Sequence, residues 1–240
     1  MKENILGVSV SNLNYKELAT AIINDINKKR KVFIVAINPE KIMKARTDES
    51  LKELLNKASY QIADGIGVVL ASKLQGGNIK SRVTGIDSML KLCETAAKYN
   101  KTVFLYGAKP GVAEKAKQKL EERFPGLQIV GVIDGYEKNQ SKIKELINGA
   151  KPDILFVALG SPKQEKWIIE HMNDLHPYVF QGVGGSFDVI SGNLKRAPEF
   201  FQRVGLEWLY RLIKEPWRWK RQLLLIKFLF IVIFKKRKRK

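Results

Sequence analysis

One carboxylate in the sequence stands where it could act as a general base. Asp64 lies in the segment ADGIG at 63–67, directly after a short β-type segment. The small neighbours Gly65 and Gly67 would let a substrate come close to the carboxylate. A carboxylate in such a place can take a proton from a hydroxyl group. An ordinary turn or helix-capping aspartate has the same local sequence, so the segment alone leaves both interpretations open.

Three further segments could hold the phosphate or sugar of a ligand. They are 107–111 (GAKPG), 160–165 (GSPKQE) and 182–188 (GVGGSFD). The first stands between a predicted strand and a predicted helix, where amides at the start of the helix can bind a phosphate. The other two place polar residues or glycines at the ends of predicted strands. The side chains and glycines that we expect to contact a sugar-nucleotide donor are Gly107, Lys163, Gln164, Gly184, Gly185 and Asp188.

These segments also fit a simpler interpretation. The first is not a GxGxxG or P-loop sequence, so neither a dehydrogenase nor a P-loop NTPase is indicated. In the second, Ser161 could cap a helix with Pro162 at its first position, while Lys163 and Glu165 would lie on a solvated face. Ligand binding and plain strand-to-helix turns remain open alternatives at this stage.

Four arginines have the chemistry to bind a diphosphate, because a guanidinium group matches phosphate oxygens. They are Arg82, Arg211, Arg218 and Arg221. The last three are spaced by seven and three residues, so one helix face could present them all, although Pro216 interrupts the pattern. Lipid headgroups or solvent are the competing partners for these side chains.

No metal site is predicted. Cys93 is the only cysteine, and His171 and His176 have no partners at ligand spacing. An Asp-x-Asp motif, which could hold a metal on a sugar diphosphate, is also missing. Cations and backbone amides would therefore have to offset the charge of a departing diphosphate.

The elements that must position these residues follow an alternating strand and helix pattern. Buried-type runs predict strands at 31–37, 60–63, 102–106, 127–133, 153–159 and 178–183, with helical spacing between them. We expect one long helix across 42–58 and a helix across 200–210. Such a series predicts an α/β, Rossmann-like fold with a mostly parallel sheet and helices on both faces. Ligands bind such sheets beyond the carboxyl ends of the strands, where the segments named above stand.

Charge and hydropathy set the end of the chain apart. Of a formal net charge of +19 over 240 residues, residues 195–240 carry 15 Lys/Arg against 3 Asp/Glu. The run Leu223–Phe234 is apolar except for Lys227, and its 12 residues are short of the roughly 20 that span a bilayer. We therefore predict a catalytic domain at 1–194 and a basic amphipathic appendage at 195–240 that lies on an anionic membrane surface.

Two other classes of function are weighed against this interpretation. A nucleic-acid-binding protein would explain the charge, but its basic residues would not border an aliphatic run. A nucleotide-dependent oxidoreductase lacks its fingerprint in this sequence. We therefore expect no nucleic acid partner, and the single cysteine fits a reducing compartment.

Taken together, the motifs resemble the WecG/TagA/CpsF family of bacterial glycosyltransferases. The matching stretches occur in family order from about Val32 to Gln222. They are NPEKIMKA, ADGIGVV, RVTGID, YGAKPG, ALGSPKQEKW, QGVGGSFDVISGNLKRAP and GLEWLYRLIKEPWRWKRQ. Each motif alone is weakly specific, but the set is highly specific. It favours the interpretation of Asp64 as a general base over a turn or capping residue.

The resemblance implies an inverting, metal-independent and cofactor-free transfer from a UDP-sugar to a sugar on undecaprenyl diphosphate. The best-known members transfer N-acetylmannosamine to lipid-linked N-acetylglucosamine in teichoic acid synthesis. The expected catalytic residues are Asp64, Asn38 and Gln164, and Arg82 with the tail arginines would bind the acceptor diphosphate. The expected location is the cytoplasmic face of the cell membrane, as a peripheral protein and a small homo-oligomer.

One position departs from the teichoic acid members. Ala36 stands where a threonine is usual, so the identity of the donor sugar is open. The alternative is a different UDP-sugar, such as a uronic acid or glucose, in capsule or exopolysaccharide synthesis.

Overall fold

The computed structural model describes residues 1–214, 216 and 219–237, without the side chains of 211, 220–222 and 235–237. Its strands are β1 (Lys2–Ile5), β2 (Val8–Ser11), β3 (Val32–Ile37), β4 (Tyr60–Ala63), β5 (Thr102–Gly107), β6 (Gln128–Ile133), β7 (Ile154–Ala158) and β8 (Val179–Gly182). Its helices are α1 (Tyr15–Asn27), α2 (Pro39–Ala45), α3 (Glu49–Asn56), α4 (Ile66–Leu74), α5 (Gly85–Lys98), α6 (Val112–Arg123), α7 (Gln140–Ala150), α8 (Lys163–His171), α9 (Ser186–Ile190), α10 (Glu199–Arg203), α11 (Glu207–Lys214) and α12 (Trp219–Arg237).

The central sheet has six parallel strands in the order β4-β3-β8-β7-β5-β6. All six predicted strands are confirmed, and so is the α/β, Rossmann-like fold. A separate antiparallel hairpin of β1 and β2 lies at the start of the chain. Because all six strands run the same way, their carboxyl ends meet along one rim of the sheet.

Side chains of successive strand residues enter two apolar cores, one on each face of the sheet. In β3, Phe33 and Val35 join one core, whereas Val32 and Ile34 join the other. The first core also receives buried residues of α2, α3, α4, α7, α8 and α12. The second receives those of α1, α5, α6 and α9. The fold is therefore three-layered, as strands buried on both faces require.

Two predictions of single long helices are wrong. Asp48 breaks the first, because its side chain accepts a hydrogen bond from the amide of Leu51 at 2.9 Å and starts α3. The second is expected across 200–210, but α10 ends at Arg203. Gly205 follows with a φ of +75°, which the interior of a helix does not adopt.

Helix α12 packs on the α/β unit rather than extending from it. Phe228 and Val232 of α12 are fully buried in the first core, against α2 and α4. The opposite side of α12 leaves large apolar side chains exposed, namely Leu223, Ile226, Phe230, Ile233 and Phe234. Among the described helices, none is long and apolar enough to span a membrane. The division into units at 194 and 195 stays a prediction.

Candidate active site

The rim of the sheet brings the predicted segments into one row. Asp64 follows β4, Asn38 follows β3, Gly184 follows β8 and Gln164 comes shortly after β7. Since β4, β3, β8 and β7 are consecutive neighbours in the sheet, residues far apart in the sequence lie side by side here. Gly107 ends β5, one strand further along.

Asp64 lies at the end of β4, close to the end of β3 and the start of α5. Its amide donates to the carbonyl of Ile37 at 2.8 Å, which holds the residue beside β3, and it is only partly buried. A Cβ atom added at Gly85 would lie 4.0 Å from Oδ2 of Asp64 and 3.5 Å from Cβ of Ala36. Gly85 and Ala36 therefore keep small groups beside the carboxylate, as a group that must meet a substrate requires.

Asn38 lies against the same loop and also begins a helix. Its Oδ1 accepts a hydrogen bond from the amide of Lys41 at 2.9 Å, and Pro39 occupies the first position of α2. A Cβ atom at Gly65 would lie 3.9 Å from Cβ of Asn38. The cap fixes the rotamer of Asn38 next to the segment of Asp64.

Gln164 is buried and its amide group is held in place from two sides. Its Oε1 accepts a hydrogen bond from the amide of Gly184 at 3.0 Å, and its Nε2 donates to Glu165 at 3.2 Å. The side chain packs directly on Gly182, where a Cβ atom would lie 2.6 Å from Nε2. Gln164 therefore connects the first turn of α8 to the glycines after β8.

For Glu165 the simpler interpretation, a residue on a solvated face, is wrong. Its side chain is 0% exposed, and its Oε1 accepts a hydrogen bond from Nζ of Lys41 at 2.7 Å. Sequence reasoning missed this pair because 124 residues separate its members. Helical spacing offered one signal, since Glu165 and Ile168 fall on one face of α8 and both are buried.

The start of α8 also differs from expectation. Pro162, not Ser161, is the residue before the helix, and no side chain caps α8. The loop instead reaches the helix through Gly160, whose φ is +78°. Lys163 is exposed at the first helical position, so its contact with a donor stays a prediction.

The other donor residues predicted from the sequence lie at the rim, and their ligand contacts likewise stay predictions. Gly107 is buried, and a Cβ atom there would lie 2.5 Å from the carbonyl oxygen of Ala158. The close approach of β5 to β7 therefore suffices to explain this glycine. Gly184 and Gly185 precede α9, and Asp188 is in its first turn.

Arg82 belongs to a charged network near the start of α5. Its guanidinium contacts Glu207 and donates to the carbonyl of Gln202 at 2.9 Å. Arg196, which sequence reasoning missed, makes two hydrogen bonds to Asp87 at 2.6 and 2.7 Å and one to Glu207 at 3.2 Å. This network ties α11 to the start of α5.

The network lowers the pKa of Asp87. Burial raises the pKa of this carboxyl group, but the hydrogen bonds and charge of Arg196, with the hydroxyl of Thr84, outweigh burial and hold the pKa below its usual value. Asp87 is therefore an anion at neutral pH, and its pair with Arg196 is intact there.

Only the backbone of two of the three tail arginines lies within the described residues. Arg211 is on α11 and Arg221 on α12, but their side chains lie outside the described residues, as does the whole of Arg218. Binding of a diphosphate by these arginines stays a prediction. Within the described ranges no group of three His, Cys, Asp or Glu could hold a metal ion.

Comparison with known proteins agrees with the motifs. The model of the "Glycosyl transferase WecG/TagA/CpsF family" matches residues 3–240. An N-acetylglucosaminyldiphosphoundecaprenol N-acetyl-beta-D-mannosaminyltransferase of Bacillus subtilis strain 168 is 40% identical over 90% of this chain and 84% of its own length. The enzymes of that name from Bacillus spizizenii and Staphylococcus aureus MRSA252 are 41% and 38% identical, over 87% and 92% of this chain and 81% and 86% of their own lengths. The resemblance is confirmed, and the chain belongs to the WecG/TagA/CpsF family of glycosyltransferases.

Proposed function

We propose that this glycosyltransferase moves N-acetylmannosamine from UDP to N-acetylglucosamine carried on undecaprenyl diphosphate. The names of the relatives state, for those proteins, the transfer of N-acetyl-beta-D-mannosamine to N-acetylglucosaminyldiphosphoundecaprenol; UDP as the carrier of the sugar is part of the proposal. The observation that carries the proposal to this chain is the row of side chains along one rim. Asp64 follows β4 beside the small residues Gly85 and Ala36, Asn38 follows β3, and Gln164 begins α8 after β7.

In the proposed reaction Asp64 acts as the general base. Its carboxylate takes the proton of the acceptor hydroxyl while the acceptor oxygen forms a bond to the anomeric carbon of the donor. The bond between that carbon and the phosphate oxygen breaks at the same time, and UDP leaves with the electron pair. Attack from the side opposite UDP inverts the anomeric configuration.

The donor is held by groups that follow β3, β7 and β8. Gln164 and Asn38 orient the sugar. The amide of Gly184 is bound by Oε1 of Gln164, so Gly184 lets the donor approach closely as a glycine, and the amide of Gly185 faces the departing diphosphate. Gly107, Lys163 and Asp188 complete the donor contacts in this proposal. Amides fixed at the start of a helix stabilise developing negative charge without rearrangement, so no metal is needed.

The acceptor diphosphate would meet the arginines. Arg82 is paired with Glu207 in the structure, so a diphosphate that binds Arg82 must replace or share that carboxylate. Arg211, Arg218 and Arg221 would supply further positive charge from the appendage. A bidentate guanidinium pair with phosphate is strong enough for such an exchange.

The appendage would place the enzyme on the membrane that carries its acceptor, at the cytoplasmic face. The exposed apolar side of α12, including Ile226, Phe230 and Ile233, is followed by a basic end segment. Apolar side chains enter the headgroup boundary, and each basic residue near an anionic surface adds about 1 kcal/mol. A small homo-oligomer is proposed on the family resemblance alone.

Release of UDP from a panel of UDP-sugars, with a short-chain lipid diphosphate acceptor, tests the reaction. UDP-N-acetylmannosamine is expected to be the best donor, and release of UDP only from another sugar would reject the proposed donor. For the membrane, deletion of 223–240 is expected to abolish sedimentation with anionic vesicles. The deletion also removes Phe228 and Val232 from the core, so Phe230→Asp, on the exposed side, is the second variant.

A further inference from the structure

We infer that the buried ion pair of Lys41 and Glu165 is a positioning pair that sets the place of the Gln164 amide group and thereby the rate of transfer. This inference rests on the proposed function, because it takes Gln164 as a donor-orienting group. Neither Lys41 nor Glu165 is expected to touch the substrate, and both are positioning residues.

The geometry joins the two sides of the site through this pair. Lys41 binds Asn38 through its amide, at 2.9 Å, and Glu165 through its ammonium group, at 2.7 Å. The same Oε1 of Glu165 accepts a hydrogen bond from Nε2 of Gln164, whose Oε1 in turn accepts from Gly184. An unbroken series of contacts therefore connects the residues after β3 with those after β8.

The burial of the pair argues for a role beyond stability. Glu165 is 0% exposed and Lys41 is 13% exposed, and among the described residues Oε2 of Glu165 has no hydrogen-bond partner. Two apolar side chains in such a place would usually be as stable as a buried ion pair or more so. A charged pair that lies one residue from Gln164 is instead suited to fix the orientation of its amide group.

The alternative is that the pair only stabilises the fold. In that case, replacing both partners by apolar residues would restore activity together with stability. In a positioning role, stability returns in the double variant but the orientation of Gln164 does not. Stability and turnover must therefore be measured on the same proteins.

The experiment compares Glu165→Leu, Lys41→Met, the double variant and Glu165→Gln. The single apolar variants leave a buried charge alone, and we expect their Tm to fall by about 10 °C. The double variant should recover the parent Tm but keep a kcat about 10- to 100-fold below the parent, with the Kd of UDP nearly unchanged. Glu165→Gln keeps an acceptor for Lys41 and should rescue turnover.

Hydrogen exchange of the Gly184 amide gives a readout that does not depend on activity. This amide donates to Gln164, so it should exchange faster in the double variant and at the parent rate in Glu165→Gln. The exposed pair Lys119–Glu122 on α6 provides the matched control, and its apolar double variant should change neither exchange nor turnover.

A double variant with parent-like Tm, Gly184 exchange and kcat would overturn the inference. If the double variant does not fold, Glu165→Asp decides, because its shorter side chain keeps the charge but cannot reach both partners; parent-like kcat there would also overturn it. Gln164→Ala distinguishes the proposed role of Gln164 from the role of the positioning pair. Normal turnover in Gln164→Ala rejects the proposed role of Gln164, whereas impaired turnover beside a normal double variant rejects the positioning pair alone.

Discussion

Replacing Gly182 by alanine should displace the Gln164 amide group without breaking the fold. A Cβ atom at Gly182 would lie 2.6 Å from Nε2, 3.0 Å from Cδ and 3.1 Å from Cγ of Gln164. A normal contact needs about 3.5 Å, so the amide group must move by roughly 1 Å. That movement would lengthen the 3.0 Å hydrogen bond from Gly184 beyond bonding distance.

The loss in turnover should exceed what a partly destabilised fold explains. A misplacement of about 1 Å in an orienting group can lower kcat by about 100-fold. The added methyl group and the lost hydrogen bond of Gly184 should together lower the free energy of unfolding by about 2–3 kcal/mol, which leaves the protein folded at the assay temperature. The assay is UDP release at saturating donor and acceptor, with Tm measured on the same samples.

Gly149 on α7 offers the matched control, since a Cβ atom there meets nothing within 4 Å. Gly149→Ala should keep full turnover and gain roughly 0.5–1 kcal/mol of stability from helix propensity. Parent-like turnover in a folded Gly182→Ala protein would refute the reasoning, because the amide of Gln164 would then not need its observed position.

The remaining predictions concern stability. Tyr60 donates to the buried Asp25 at 2.6 Å, and burial and this carboxylate raise the pKa of Tyr60 to about 12. Tyr60→Phe should lower the free energy of unfolding, measured in urea, by about 1.5–3 kcal/mol. Arg196→Ala should lower the free energy of unfolding by about 1–2 kcal/mol at pH 7. Because Arg196 lowers the pKa of Asp87, its contribution is present above the unfolded pKa of about 4 and is lost as the pH falls through the folded value. The free energies of unfolding of parent and variant should therefore converge as the pH falls below the unfolded pKa, and a constant difference would contradict this. At Gly107 the φ is +120°, and a Cβ atom would meet backbone atoms of Ala158. Gly107→Ala should therefore lower the free energy of unfolding by about 3 kcal/mol, whether or not a donor is bound. A parent-like Tm would contradict this prediction.

The sheet could be predicted from the sequence because its strands are buried on both faces. Runs such as 32–37 and 154–158 are nearly all apolar, and short loops between strands and helices require parallel neighbours. The position of Asp64 at the rim follows from the same logic, since the carboxyl ends of parallel strands share one edge.

Other parts of the fold had no readable local signal. The hairpin of β1 and β2 turns at Leu6 and Gly7, both with positive φ, and leucine is not a residue that predicts such a turn. Its turn is held by side chains from elsewhere, since Asn56 bonds to both Ser9 and Gly7. Contacts of this kind depend on tertiary structure.

The same limit applies to the charged groups of the site. Glu165 reads as a surface residue until its partner Lys41 is known, and Arg196 reads as one of many tail cations until Asp87 is found 109 residues away. Charge alone does not tell a paired residue from a solvated one. The catalytic roles of Asp64, Asn38 and Gln164, and diphosphate binding by Arg82, remain predictions for mutagenesis.

The central claim is that Asp64 removes the proton of the acceptor hydroxyl, and Asp64→Asn tests it most directly. The asparagine keeps the size of the side chain and its place beside Gly85 but cannot act as a base. UDP release with lipid-linked acceptor should fall to background, while the Kd of UDP and the Tm stay at their parent values. Transfer at a rate near that of the parent would contradict the account.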